Sequence, residues 1–133
     1  MHKEILVIDD NPDIRSLVSS ILKEQNFEVR TAANYDQAVF EIKKKLPDLA
    51  IIDIKLDKTD KDGIDLLKLI TQKDKLIPVI MISGHATVQI AVEATRLGAY
   101  EFIEKPFSKE KILNYVNRGL ESSQLKKEKD IIE

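Results

Sequence analysis

The chain has 133 residues and no cysteine, which suits one domain with its own core and excludes a disulfide framework or a thiolate metal site. Charged residues make up 33% of it but nearly cancel, to a net charge of −2, so it carries no basic footprint for nucleic acid and any DNA contact needs another domain. The first apolar stretch, Ile5-Leu6-Val7-Ile8, is too short for a signal segment or a membrane span, and a soluble cytoplasmic chain without membrane contact is expected.

Short apolar runs alternate with amphipathic segments along the chain. Ile5 to Ile8 reads as a first strand, closed by Asp9 and Asp10. Pro12 suits a first helical position with Asn11 or Asp10 as the cap, and Ile14, Leu17, Val18, Ile21 and Leu22 recur at helical spacing. Phe27-Glu28-Val29-Arg30-Thr31 is a weaker strand. Asn34 with Gln37 has the spacing of a capping box, followed by Tyr35, Ala38, Val39 and Ile42 on one face and a stop at Pro47. Leu49-Ala50-Ile51-Ile52 is a third strand, ending at Asp53, and Ile64, Leu67 and Ile70 mark a third helix. Pro78 to Ile82 is a fourth strand, ending at Ser83. Val88, Ala91, Val92 and Thr95 mark a fourth helix, stopped by Gly98. Tyr100 to Ile103 is a fifth strand, ending near Lys105. Ser108 caps a fifth helix carrying Ile112, Tyr115, Val116 and Leu120. Five strand–helix repeats with continuous apolar strands predict a doubly wound, five-stranded parallel α/β sheet. Residues 121–133 are almost all polar and read either as a solvated helix extension or frayed end, or as a linker to a further domain and part of a dimer contact.

The ends of the apolar runs carry the chemistry. In an open parallel sheet the carboxyl ends of the strands share one rim, and ligands bind in the crevice there. Asp9, Asp10, Asp53, Ser83 and Lys105 are dispersed in sequence but fall on that rim together. Clustered carboxylates repel one another unless a cation neutralises them, and Mg²⁺ prefers such oxygen ligands. Asp10 and Asp53 are the expected direct ligands, Asp9 binds through water, and the backbone carbonyl of Lys55 can add another. A carboxylate beside such a metal can accept a phosphoryl group, with Lys105 supplying positive charge and Ser83 a hydrogen bond. The Lys105-Pro106 peptide bond is expected to be cis, which aims Lys105 into the pocket.

From about Lys3 to Leu120 the chain resembles the receiver domains of two-component response regulators. The resemblance is carried by Ile8-Asp9-Asp10-Asn11, Ile52-Asp53-Ile54, Ser83-Gly84-His85-Ala86, Gly98-Ala99-Tyr100-Glu101-Phe102 and Lys105-Pro106-Phe107. It implies a flavodoxin-like sheet of order 2-1-3-4-5 with five helices, over a receiver at 1–120. It implies Asp53 as phosphoacceptor, with Mg²⁺ as cofactor and a sensor histidine kinase as the phosphoryl source. It also implies a switch through Ser83, Phe102 and Pro106, and an output surface on the fourth helix, fifth strand and fifth helix. A homodimer through that face or through the C-terminal helix is expected. The segments around Ser83 and from Gly98 to Phe107 are similar to receivers of the NtrC/NtrX nitrogen-regulation class. The long loop from Ile54 to Gly63 is similar to that of NtrX in particular, where an ATPase and a DNA-binding domain follow the receiver.

Asp57 stands where the family often has Pro, Ser83 where Thr is frequent, and Phe102 where Tyr is frequent. Lys55 and His85 flank the pocket at variable positions and are expected to tune the lifetime of the phosphoryl group. A Mg²⁺-dependent phosphohydrolase is the enzymatic alternative. Such enzymes place a second acid two residues after the nucleophile, and Lys55 stands there instead. A stand-alone receiver, or a pseudo-receiver acting by protein contacts only, is the other alternative; the intact acidic set argues against the second. Lys58 to Gly63 has the wrong residues at the first and last ligand positions for a calcium loop.

Overall fold

The computed structural model describes residues 2–56, 63–84 and 88–132. The expected features of the 57–62 loop, and those of His85, lie outside the described residues. Five strands and five helices alternate: β1 (Glu4–Ile8), α1 (Pro12–Glu24), β2 (Glu28–Ala32), α2 (Tyr35–Lys44), β3 (Leu49–Asp53), α3 (Gly63–Lys73), β4 (Val79–Ser83), α4 (Val88–Arg96), β5 (Glu101–Glu104) and α5 (Lys109–Ile132). The strands form one parallel sheet of order β2-β1-β3-β4-β5.

The pleat sends alternate residues of each strand to opposite faces, and both faces are covered. Leu6, Ile8, Ala50, Ile52, Val79 and Met81 pack with Ala38, Ile42, Leu66, Leu67, Ile70 and Ala94 under α2, α3 and α4. Ile5, Val7, Leu49, Ile51, Ile80, Ile82 and Ile103 pack with Val18, Ile21, Leu22, Ile112 and Val116 under α1 and α5. The continuous apolar runs of β1, β3 and β4 are therefore the signature of central strands buried on two sides. The edge strand β2 is only partly covered, which is why its sequence alternates and reads weakly.

Local chemistry fixes where the helices begin and end. Asn11 caps α1, its Oδ1 accepting from Asp13 N at 2.8 Å, with Pro12 at the first helical position. Asn34 Oδ1 accepts from Gln37 N at 2.9 Å, but Gln37 Oε1 returns to Ala33 N rather than to the cap residue itself. At the end of α4, Ala99 N donates to Ala94 O and Gly98 N to Thr95 O, with Gly98 at φ 110, a left-handed turn that a side chain would strain. Asn26, at φ 67, closes α1 by the same pattern.

The apolar residues that mark α4 in the sequence do not supply its buried face. Val88 is 80% and Val92 60% exposed, while Ala94 is buried and Ile90 and Leu97 pack on the core. Both stripes have helical spacing, so periodicity alone could not decide which one faces inward. Helix α5 runs without a break from Lys109 to Ile132. Past Leu120 it is tied to the body by buried Ser123, whose hydroxyl donates to Leu76 O at 2.8 Å.

Edge strand β2 is braced from outside the core. Arg30 Nε donates to Glu4 Oε1 at 2.5 Å, Nη1 to the Glu41 carbonyl and carboxylate, and Nη2 to the Lys45 carbonyl at 2.6 Å. One guanidinium thus satisfies the C-terminal carbonyls of α2 and two carboxylates. Arg30→Ala is expected to lower unfolding free energy by about 2 kcal/mol, because it strands those acceptors and charges. Arg30→Lys should not restore it, since an ammonium lacks the planar fork. Urea unfolding of the two variants checks both statements.

Candidate functional site

The rim that the sequence singles out is assembled by strand register. Ile8 pairs with Ile52, Asp53 with Ile82, and Ser83 with Glu104, so the last residues of β1, β3, β4 and β5 lie side by side. Backbone bonds hold this rim: Asp9 N donates to Ala32 O at 3.2 Å, Ile54 N to Ile82 O at 2.9 Å, and Lys105 N to Ser83 O at 2.8 Å. The Lys105-Pro106 peptide is cis, as the sequence suggested.

Asp9, Asp10, Asp53 and Lys105 meet in one cluster. Lys105 Nζ lies 3.1 Å from Asp9 Oδ2 and 3.4 Å from Asp53 Oδ2. The other oxygen of Asp9 accepts from Asn11 N at 2.9 Å, and Asp53 Oδ1 accepts from Lys55 N at 3.3 Å. Asp9 and Asp53 are buried, whereas Asp10 is exposed at the mouth. Ser83 is buried at the end of β4, and strand alternation puts it on the same face as Met81 and Phe102, the face that α4 covers. Phe102 is half-buried against that face. Lys55 is exposed beside Asp53.

The electrostatics follow from this arrangement. Burial, reinforced by the nearby Asp9 charge, pushes the Asp53 carboxyl up to about 6; the Lys105 ammonium and the Lys55 N–H act in the opposite direction. Burial and Asp9 also raise Asp10 above the usual carboxylate range. For Lys105 burial disfavours the charged form, yet the Asp53 and Asp9 carboxylates outweigh it and the ammonium is held above its ordinary value.

Asp9, Asp10 and Asp53 each offer a carboxylate oxygen, and these oxygens lie within 4.8 Å of one another. Among the described residues three hard oxygen donors face one ammonium, that of Lys105, which leaves an excess of negative charge, and Asp10 is exposed to water. Such a donor set suits Mg²⁺, which takes carboxylate oxygens and keeps part of its water shell.

Asp53 gives the site a pH dependence with a definite sign. Its folded value is raised from 3.8 to about 6, so the folded chain binds the proton more tightly than the unfolded chain. Stability of the metal-free protein therefore falls as pH rises through that window, and the cost is fully present above it. Urea midpoints should be higher near about pH 5 than near about pH 7 on this account, and Asp53→Asn should reduce the difference. Mg²⁺ competes with the same proton, so its affinity should weaken as pH drops below about 6.

Two contributors to the site were not legible in the sequence. Arg15, on the first turns of α1, donates from Nη1 to the Asp9 carbonyl at 2.7 Å. Gly63 opens α3 against the backbone of Asp53 itself; its N–H donates to Ile54 O at 2.8 Å. No strand-end pattern points to either.

The response regulator receiver domain model matches residues 5–117. The nitrogen assimilation regulatory protein NtrX of Azorhizobium caulinodans is 41% identical over 128 residues, which is 96% of this chain but 28% of that protein. The crystal structure of NtrX from Brucella abortus superposes with a TM-score of 0.92 at 43% identity, covering 100% of this chain and 30% of that one. The beryllofluoride-activated NtrC4 receiver domain dimer superposes with a TM-score of 0.83 at 35% identity over 90% of this chain and 98% of that one. The chain thus spans under a third of the length of the NtrX proteins it matches. Among the described residues no helix is long and apolar enough to cross a membrane. A doubly wound sheet of this order, an acidic rim closed by a lysine, and a family match over most of the chain have one reading: this chain belongs to the response regulator receiver domain family.

Proposed function

We propose that Asp53 accepts a phosphoryl group in a Mg²⁺-dependent pocket, and that the modified rim is read out through Ser83 and the α4–β5–α5 face. The observation that carries this reading is the convergence of Asp9, Asp10 and Asp53 on one site with Lys105 between the two buried acids. Asp9, Asp10, Asp53 and the backbone carbonyl of Lys55 would hold the metal, which when bound supplies neutralising charge to the phosphoryl oxygens.

The chain's own groups account for the rest. The Asp53 oxygen that Lys105 releases attacks phosphorus in line, the phosphorus–nitrogen bond of the donor breaks, and the protonated ring of a histidine donor departs as neutral imidazole. Asp53 must be ionised for that step, and bound Mg²⁺, which competes with its proton, would favour that form. Lys105 exchanges its carboxylate partner for a phosphoryl oxygen, and the Ser83 hydroxyl donates to another. Phosphorylation adds roughly −1.5 to −2 charges, which draws Ser83 toward the phosphate and frees space for the Phe102 ring to turn inward. Pro106 holds the Lys105 backbone in place. Water attack on phosphorus restores the carboxylate and releases inorganic phosphate. This is slow self-dephosphorylation, and the chain is a phosphoacceptor rather than a turnover enzyme.

The donor is a sensor histidine kinase of the cytoplasm. Residues 1–120 form the receiver, and 121–133 continue α5 as a linker toward an ATPase and DNA-binding output of NtrX type. That output contacts nucleic acid, and this chain does not. Homodimers form through α4–β5–α5 or through the C-terminal helix; that the NtrC4 receiver domain is a dimer supports self-association, not a particular face. Exposed Val88, Val92 and Leu125 lie on these surfaces.

Intact-mass measurement after treatment with acetyl phosphate and Mg²⁺ tests the proposal. One added phosphoryl group is expected, lost on chelation of the metal and in Asp53→Asn. No added mass would favour a module that acts by protein contacts alone.

A further inference from the structure

We propose that Arg15 is a positioning residue for the acidic pocket: its guanidinium sets the peptide between Asp9 and Asp10, and with it the geometry in which the two carboxylates meet a divalent cation. This rests on the reading of Asp9, Asp10 and Asp53 as a Mg²⁺ site.

Every polar part of Asp9 is engaged. Its N–H donates to Ala32 O, Oδ1 accepts from Asn11 N, Oδ2 accepts from Lys105 Nζ, and its carbonyl accepts from Arg15 Nη1 at 2.7 Å. The first three bonds hold the strand end and the Asp9 carboxylate. The Arg15 bond acts instead on the carbonyl of the peptide plane that leads into Asp10. In a trans peptide the carbonyl and the following N–H point in opposite directions, so fixing the Asp9 carbonyl also fixes the direction of the Asp10 N–H and the Cα from which its side chain departs. Asp10 is exposed, and its carboxyl interacts with the Asp9 carboxyl and with its own N–H, so the direction of that N–H bears on where the carboxyl sits.

Arg15 suits that task. It is half-buried, and its own backbone is anchored because Arg15 N donates to Asn11 O at 3.1 Å in the first turn of α1. The span from Asp9 to Arg15 is thus a closed loop: the Asn11 cap ties the turn to the helix, and the guanidinium returns from the helix to the strand end. Among the described residues no carboxylate forms an ion pair with Arg15, so its bond to the carbonyl is not incidental to a salt bridge elsewhere.

The sign of the effect separates positioning from simple charge. A cation near a metal site repels the metal, so removing Arg15 should strengthen Mg²⁺ binding if only charge matters. If Arg15 positions the ligands, removal should weaken binding; partners behind metal ligands typically contribute about ten- to a hundredfold in affinity. Calorimetric titration of the full chain with MgCl₂ at constant ionic strength decides between them. Arg15→Ala is expected to bind Mg²⁺ about tenfold more weakly, with Arg15→Lys intermediate because it keeps one donor. The metal-free variants should also show shifted Asp10 and Asn11 amide resonances, while residues at the opposite rim keep theirs. Mg²⁺ affinity in Arg15→Lys and Arg15→Ala equal to or tighter than the parent's would overturn the proposal. A parent protein that binds no Mg²⁺ would instead overturn the pocket reading on which it stands.

Discussion

Gly63→Ala is expected to lower unfolding free energy by about 3 kcal/mol, a large loss for one added methyl group. A Cβ at position 63 would lie 2.2 Å from the Asp53 carbonyl oxygen and 2.9 Å from its carbon, with Ile52 Cγ2 at 3.0 Å. The obstacle is backbone, which cannot swing aside as a flexible side chain would. Relief requires moving either the start of α3 or the end of β3, and the Gly63 N–H to Ile54 carbonyl bond joins the two. Because β3 ends in Asp53, the damage also reaches the chemistry. A displacement of about 1 Å can slow a positioned reaction by about a hundredfold, so phosphoryl uptake should fall even where the variant is kept folded by low temperature. Urea unfolding and the rate of mass gain with acetyl phosphate measure the two effects. A variant with parental stability and parental uptake would show that this close approach has no consequence.

Lys105→Ala should change stability and metal binding in opposite directions. In the metal-free protein the ammonium lies between the Asp9 and Asp53 carboxylates and is the counter-charge for both. Removing it leaves two buried acids facing each other, at a cost of about 2 kcal/mol at neutral pH, below that of a fully buried pair because Lys105 remains partly in contact with solvent. The Asp53 carboxyl should then titrate still higher. Mg²⁺ no longer competes with the ammonium and should bind more tightly, and adding it should recover the lost stability. Phosphoryl uptake should nevertheless be slower, since a donor to the transferred group is gone. Unfolding curves with and without Mg²⁺ test the crossing of these effects; weaker Mg²⁺ binding in the variant would contradict it.

Much of this was legible because the chemistry sits at strand ends. The runs ending in Asp9, Asp53 and Ser83 are apolar and β-branched, so their terminal polar residues stand out, and the parallel sheet brings those ends together without further information. Capping at Asn11 and Asn34 and the stop at Gly98 were legible for the same local reasons. The buried face of α4 was not. Its helix carries two apolar stripes, each with a small alanine, and burial chooses Ala94, Ile90 and Leu97 while Val88 and Val92 remain outside. Arg15 and Gly63 were missed for a different reason. Each acts on a backbone carbonyl, and a backbone partner leaves no pattern in sequence.

Asp53 is proposed as the one carboxylate that receives the phosphoryl group. Borohydride reduction after treatment with acetyl phosphate and Mg²⁺ converts an aspartyl phosphate to homoserine, and peptide sequencing reads its position. Homoserine at position 53 is the predicted result. Homoserine at position 9 or 10, or none at any position in protein that had gained the phosphoryl mass, would contradict it.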